Sequence, residues 1–229
     1  SILKNPLASS YTLGVSSGAS LCAALVMVTG VTFPILGSLF TLPAAGFAGG
    51  LATVFLALAF AARLDGKMEN QTVILVGMVF SLFVNAILTL ITALSREHLQ
   101  QMVFWQMGGF TGRDWSHVAV MCPVLVLSML MLQRFTTEMD IMSFGEEQAM
   151  SIGVDLKRVK LLLIGMAALL TGTAVSLVGV IGFVDLIAPH VVRRIFGSAH
   201  RLVLPLSALL RGSFLMLPQL VSRTIMAPP

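Results

Sequence analysis

Runs of about twenty predominantly apolar residues follow one another along this chain, separated by short polar breaks. No soluble globule tolerates that rhythm. Apolar residues make up 57% of the sequence and charged residues only 10%, against roughly 25% charged in a soluble domain. The bilayer is therefore the solvent. Runs of this length satisfy their backbone within a helix, so the class is all-α, a polytopic bundle of membrane helices.

Seven spans are expected: Leu13–Val31, Ala44–Ala62, Thr72–Leu94, Val118–Leu132, Leu161–Val180, Ile181–Phe196 and Leu202–Met226. Gly14, Ser16, Ser17, Gly18, Ala19 and Ser20 crowd the head of the first, and Gly46, Gly49 and Gly50 that of the second. Small residues at this density let helices approach closely, and they equally suit the wall of a pore. Pro34, Gly37 and Pro43 mark an irregular return between these two spans. Asn85 interrupts the third span and is expected to be buried and satisfied on nearby backbone. The sixth is short and holds Asp185, Pro189 and His190, which suggests a broken or re-entrant helix after a turn at Gly179 and Gly182.

Two polar stretches stand out. Residues 95–117 carry an apolar ridge (Leu99, Met102, Val103) flanked by Trp105 and Trp115, and predict a short surface helix ending at Gly108-Gly109. Residues 135–160 hold Glu138, Asp140, Glu146, Glu147 and Asp155, then Lys157, Arg158 and Lys160. Ser143 and Glu146 have capping-box spacing for a helix starting near Ser143, with Gly153 as its stop. This stretch reads as an ordered knob for docking a partner; a solvated turn is the plainer alternative.

Basic residues orient the chain. With the N-terminus inside, Lys4, Arg63, Lys67, Arg134, Lys157, Arg158, Lys160, Arg193, Arg194 and Arg201 fall on the cytoplasmic side. Arg96, Arg113 and Arg223 fall outside, and Arg211 lies within the last span. That bias puts the knob in the cytoplasm and the Trp-flanked stretch outside. Ser1–Pro6 lacks the basic region of a cleavable signal peptide. Cys22 and Cys122 sit singly in apolar runs, the four histidines have no zinc spacing, and no phosphate-binding loop is present, so neither a metal, a cofactor nor a catalytic set is implied. The basic residues form no stripe for nucleic acid. Asp185, His190 and Arg211 leave a membrane enzyme as a minor alternative.

Four separated motifs resemble the FecCD-type permeases, the membrane subunits of importers for iron-siderophores, haem and vitamin B12. They are Asn5-Pro-Leu-Ala8 with Leu13-Gly-Val-Ser-Ser-Gly18; Phe104-Trp-Gln-Met-Gly-Gly109; Ser143-Phe-Gly-Glu-Glu147 through Ser151-Ile-Gly-Val154; and Gly179-Val-Ile-Gly-Phe183 with Ala188-Pro-His190 and Arg194. The resemblance runs along the whole chain, taken as one permease domain over residues 1–229. It implies a translocation subunit of an ATP-driven importer on the cytoplasmic membrane, with a ferric siderophore as the leading substrate. Haem, vitamin B12 and a non-functional truncated remnant are the alternatives. Implied partners are a second permease copy or homologue, two cytoplasmic ATPase subunits and an external substrate-binding protein.

The resemblance also distributes roles. Gly145, Glu146, Glu147, Ala149 and Gly153 would couple to the ATPase; Arg96, Arg113 and Trp105 would meet the binding protein. Gly14, Ser17, Gly18, Asn85, Gly182, Pro189 and His190 would serve translocation or helix packing. About seven of the family's usual ten spans are expected here, so the sequence reads as incomplete at both ends. Asp185 and Arg211 stand where the family has small residues, and an intramembrane pair between them would offset the insertion cost of about 3 kcal/mol each.

Overall fold

Each apolar run forms a helix, as a backbone without water partners must. The computed structural model describes residues 14–32, 37–66, 69–110, 112–180 and 184–225. Its helices are α1 (Val15–Thr29), α2 (Gly37–Leu64), α3 (Asn70–Leu94), α4 (Leu99–Met107), α5 (Trp115–Arg134), α6 (Thr136–Phe144), α7 (Glu146–Ser151), α8 (Leu156–Val178), α9 (Val184–Phe196) and α10 (His200–Ile225). A single 3-10 turn, Arg96–His98, leads into α4. Among the described residues there is no strand.

Five helices, α2, α3, α5, α8 and α10, are long and apolar enough to cross a bilayer. The expected first and sixth spans are shorter helices, α1 with 15 residues and α9 with 13. At 1.5 Å per residue these reach only about 20–22 Å, less than the hydrocarbon thickness of about 30 Å. α9 runs unbroken through Pro189 from Val184 to Phe196, and the first three residues of the expected segment lie outside the described residues. Nor is Pro43 part of an irregular return: α2 begins at Gly37 and runs through it. Pro43 lies in the second turn, where the missing N–H leaves one carbonyl without its helical donor.

α2 is the hub, packed on α1, α3 and α8; α5 leans on α8, and α10 pairs with α9 and reaches the rest through α5 and α6. The glycines explain how closely α1 and α2 approach. A Cβ on Gly18 would collide with the Thr53 hydroxyl and the Gly49 carbonyl, and one on Gly49 with Cys22. Around them Val15, Val54, Ala57, Val73 and Ala168 form the main buried cluster. The outward faces of α3, α5 and α10 remain apolar (Leu82, Leu127 and Leu217 among them), as lipid-facing surfaces are.

α4 is docked by backbone. Its C-cap Gly108 has a positive φ, the Gly109 N–H donates to the Val178 carbonyl at 2.7 Å, and Gly179 (φ +77) lies so close that a Cβ there would strike the Trp105 carbonyl. The helix ends at the glycine pair that the sequence indicates. Two of the four motifs, Phe104–Gly109 and the stretch opening at Gly179, thus meet in space.

Candidate functional site

The polar knob is built from three pieces. α6 stops at Phe144 because the backbone of Gly145 is extended, and α7 starts at Glu146. The Ser143 hydroxyl donates to the Asp140 carbonyl within α6, and the residue at the N-cap of α7 is Gly145. The capping box expected between Ser143 and Glu146 is therefore not formed; the glycine between them separates two helices. Gly153 (φ +94) does end the knob, with its N–H donating to Met150 and that of Val154 to Ala149. The Asp155 carboxylate then caps α8 by accepting from the Arg158 N–H.

Underneath, fully buried Ala149 seats α7 on Met139 and Met142 of α6 and on Leu156, Val159 and Leu163 of α8. Lys160 completes this anchor. Its side chain has 0% exposure and its Nζ donates to Glu146 Oε2 at 2.9 Å. Lys160 is thus no solvated loop charge, and Glu146 faces inward. Glu147 and Gln148 are exposed, together with Phe144 (78%), Met150 and Ile152. A second polar tie joins the knob to α10: the His200 N–H donates to Asp140 Oδ1 at 3.0 Å, and the buried His200 ring places Nδ1 2.5 Å from the same oxygen. Burial pulls the Asp140 carboxyl upward, but the His200 side chain, backbone N–H and ring charge outweigh it and hold it below the usual carboxylate value.

At the opposite end, Asp114 caps α5 by accepting from the Ser116 and His117 N–H groups, while the His117 ring contacts both Asp114 and Phe40. Hydrogen bonds from the Ser116 and His117 side chains hold the Asp114 carboxyl far below its usual range. Arg96 and Arg113 are exposed, as is Trp115 at 85%. Trp105 is turned inward and packs against a buried cluster of Ala24, Met27, Leu88 and Met102.

Between these ends lies a cleft of about 190 Å³, lined by Ser16, Ser17 and Ser20 of α1, Ser81 and Asn85 of α3, and Gln106 of α4. Asn85 is exposed into this space, not buried on backbone as its place in an apolar run suggests. The structure brings Ser17 to Ser81 (Oγ–Oγ 2.8 Å) and sets Gly14 against Ser81. Exposed His190 and half-buried Pro189 lie on α9 and do not line the cleft. Gly182 and the Asp185 side chain lie outside the described residues; Arg211 is exposed on α10. Among the described residues no cluster of acidic, His or Cys side chains suits a metal ion.

The whole of residues 1–229 matches the FecCD transport family. The chain belongs to that family. Among its relatives, an uncharacterized ABC transporter permease protein, YvrB of Bacillus subtilis, is 41% identical over 99% of this chain and 64% of its own length. The cobalamin import system permease protein BtuC of Halobacterium salinarum is 36% identical over 99% of this chain and 60% of its own. The hemin transport system permease protein HmuU of Yersinia pestis is 30% identical, covering 99% and 68%. The chain thus spans less than two thirds of the length of the first two. A solved metal-chelate type ABC transporter in an inward-facing conformation superposes with a TM-score of 0.88 at 26% identity, over 98% of this chain and 70% of that one.

The knob and the α4 end stand where the sequence motifs place them. Lys160, Asp140 and His200 were not legible as partners, because each contact joins residues distant along the chain. The serines of the cleft carried a faint signal: Ser16, Ser17 and Ser20 recur at helical spacing on α1.

Proposed function

We propose that this chain is a permease subunit of an ATP-binding-cassette importer that moves a metal chelate across the cytoplasmic membrane, with a ferric siderophore as the leading substrate. The observation that carries the reading is the knob. The knob, seated by the short helix α7, presents Phe144, Glu147, Gln148, Met150 and Ile152 as exposed side chains. An apolar centre with a polar rim is the make-up of a protein-docking surface. Its place on the basic, cytoplasmic side fits an ATPase partner. Arg96, Arg113 and Trp115, with the exposed part of Trp105, then face the external substrate-binding protein, and a second permease copy or homologue completes the pathway. ATP-driven movement of the docked ATPases would shift α7 and, through its anchor, α8. Relatives named for cobalamin and hemin keep those chelates as alternative cargo.

Co-purification of the membrane-extracted chain with its cognate ATPase tests this reading. Glu147→Lys with Ile152→Glu changes only exposed side chains of the knob, so the double variant is expected to stay folded and lose the ATPase. Retention equal to wild type would move the docking surface elsewhere. Uptake of a ferric siderophore, haem or cobalamin into proteoliposomes holding the full assembly distinguishes the cargo.

A further inference from the structure

α1 opens inside the bundle, not at its edge. Its N-cap Gly14 touches Ser81, and Ser17 bonds the same residue, which stands halfway along α3. Gly14 provides no side-chain cap, and the first helical bond runs from the Gly18 N–H to the Gly14 carbonyl. The amides of Val15, Ser16 and Ser17 therefore have no acceptor within their own helix. They form the positive end of its dipole at a depth where unmet donors are costly.

A second observation is independent of the helix end. Ser16 is 4% exposed, lines the cleft, and among the described residues its Oγ has no hydrogen-bond partner. Around the same space stand the amide groups of Asn85 and Gln106, each with two N–H donors. Among the described residues no charged side chain lines the cleft, so none of them supplies a carboxylate to compete for these donors or a fixed cation to lock an anion in place. The volume of about 190 Å³ equals roughly six waters at about 30 Å³ each. That is room for one arm of a chelate.

We infer that the cleft at the head of α1 is a binding site for a carboxylate arm of the transported chelate, held by the unpartnered Ser16 hydroxyl, the amides of Asn85 and Gln106 and the N-terminal end of α1. The inference rests on the permease reading and narrows its substrate class to chelates bearing free carboxylates. A site of neutral donors holds a carboxylate strongly enough to select it and loosely enough to release it, since its attraction comes from hydrogen bonds and a helix end.

The test measures binding of two probes to the chain in nanodiscs: ferric dicitrate, an anionic carboxylate chelate, and a neutral ferric tris-hydroxamate. Ser16→Ala removes a hydroxyl that bonds nothing among the described residues, so its melting temperature is expected to match wild type. Ferric dicitrate is expected to bind Ser16→Ala about tenfold more weakly, the scale of one hydrogen bond to a charged group. Asn85→Leu is expected to weaken it likewise, and the tris-hydroxamate is expected to respond to neither change. Unchanged dicitrate binding in both variants, equal weakening of both probes, or no dicitrate binding by wild type overturns the site. Uptake assays with the ATPases present separate the two readings. Uptake that is indifferent to Ser16→Ala leaves a permease without this site, whereas Ser16-dependent binding without uptake leaves the site and removes the permease reading.

Discussion

The Lys160 ammonium lies 2.9 Å from the Glu146 carboxylate, with the lysine wholly buried and the glutamate one quarter exposed. The pair joins α7 to α8 across 14 residues of sequence. Removing one partner of a buried ion pair weakens the compensation of the charge that remains and costs up to about 3–5 kcal/mol, whereas replacing both with packed apolar groups is often close to neutral. Glu146→Gln and Lys160→Met are therefore each expected to lower the melting temperature of the purified protein sharply. The double variant should recover much of the loss. Glu147→Gln, one residue away and exposed, should leave stability unchanged. Equal melting temperatures for Glu146→Gln and Glu147→Gln would show that the ion pair does not anchor the knob.

Gly18 and Gly165 make a controlled comparison of two helical glycines. A methyl group on Gly18 meets the Gly49 carbonyl and Thr53, whereas one on Gly165 meets nothing within 4 Å. Ala is intrinsically better than Gly in a helix by roughly 1 kcal/mol, so Gly165→Ala should be neutral or stabilising. Gly18→Ala must push α1 from α2, because the obstacle includes backbone, and overpacking of that kind costs about 1–3 kcal/mol. Thermal unfolding in detergent should rank Gly165→Ala at or above wild type and Gly18→Ala clearly below. The reverse order would remove close packing as the reason for glycine in α1.

The bundle was legible because hydrocarbon imposes one rule on every residue of a span. Apolar runs must be helices, and each expected span holds one, although α2 starts at Gly37, well before the expected Ala44, and α8 at Leu156 instead of Leu161. Depth was not legible. Composition alone does not show that α1 begins level with Ser81, since small residues suit its packing face and its cleft face alike. Partnership across the fold was equally hidden. Lys160 belongs by sequence to a basic loop edge with Lys157 and Arg158, yet the turn of α8 points it under α7. Local grammar also misled at Ser143, where cap spacing to Glu146 gave way to the extended Gly145 between them.

The Asp140–His200 tie gives a pH dependence with a definite sign. The folded carboxyl titrates below its unfolded value, so the stabilisation is complete above the unfolded pKa of about 3.9 and fades as pH falls through the lower folded value. Asp140 is partly exposed, and solvent screening limits the effect to the order of 1 kcal/mol. Asp140→Asn should melt lower than wild type at neutral pH, and the gap should close below about pH 4. A gap that stays constant well below that pH would place the contribution of Asp140 in packing instead of charge.

Asp185 and Arg211 stand at equal counts along the chain from the turn between α9 and α10. Eleven residues separate Asp185 from Phe196 at the end of α9, and eleven separate His200 at the start of α10 from Arg211. The two helices pack together and are joined by a short turn at Gly197, and for an antiparallel pair equal counts would bring both backbones to the same height. An ion pair at that depth would relieve two insertion costs of about 3 kcal/mol each. Asp185→Asn alone and Arg211→Gln alone are then each expected to destabilise, and the double variant to be less damaged than the sum. A coupling of about 1 kcal/mol or more in this four-member cycle, read from detergent unfolding, would establish the pair. Strict additivity would mean that each charge meets water or headgroups by itself, and the equal counts would then be a coincidence of helix length.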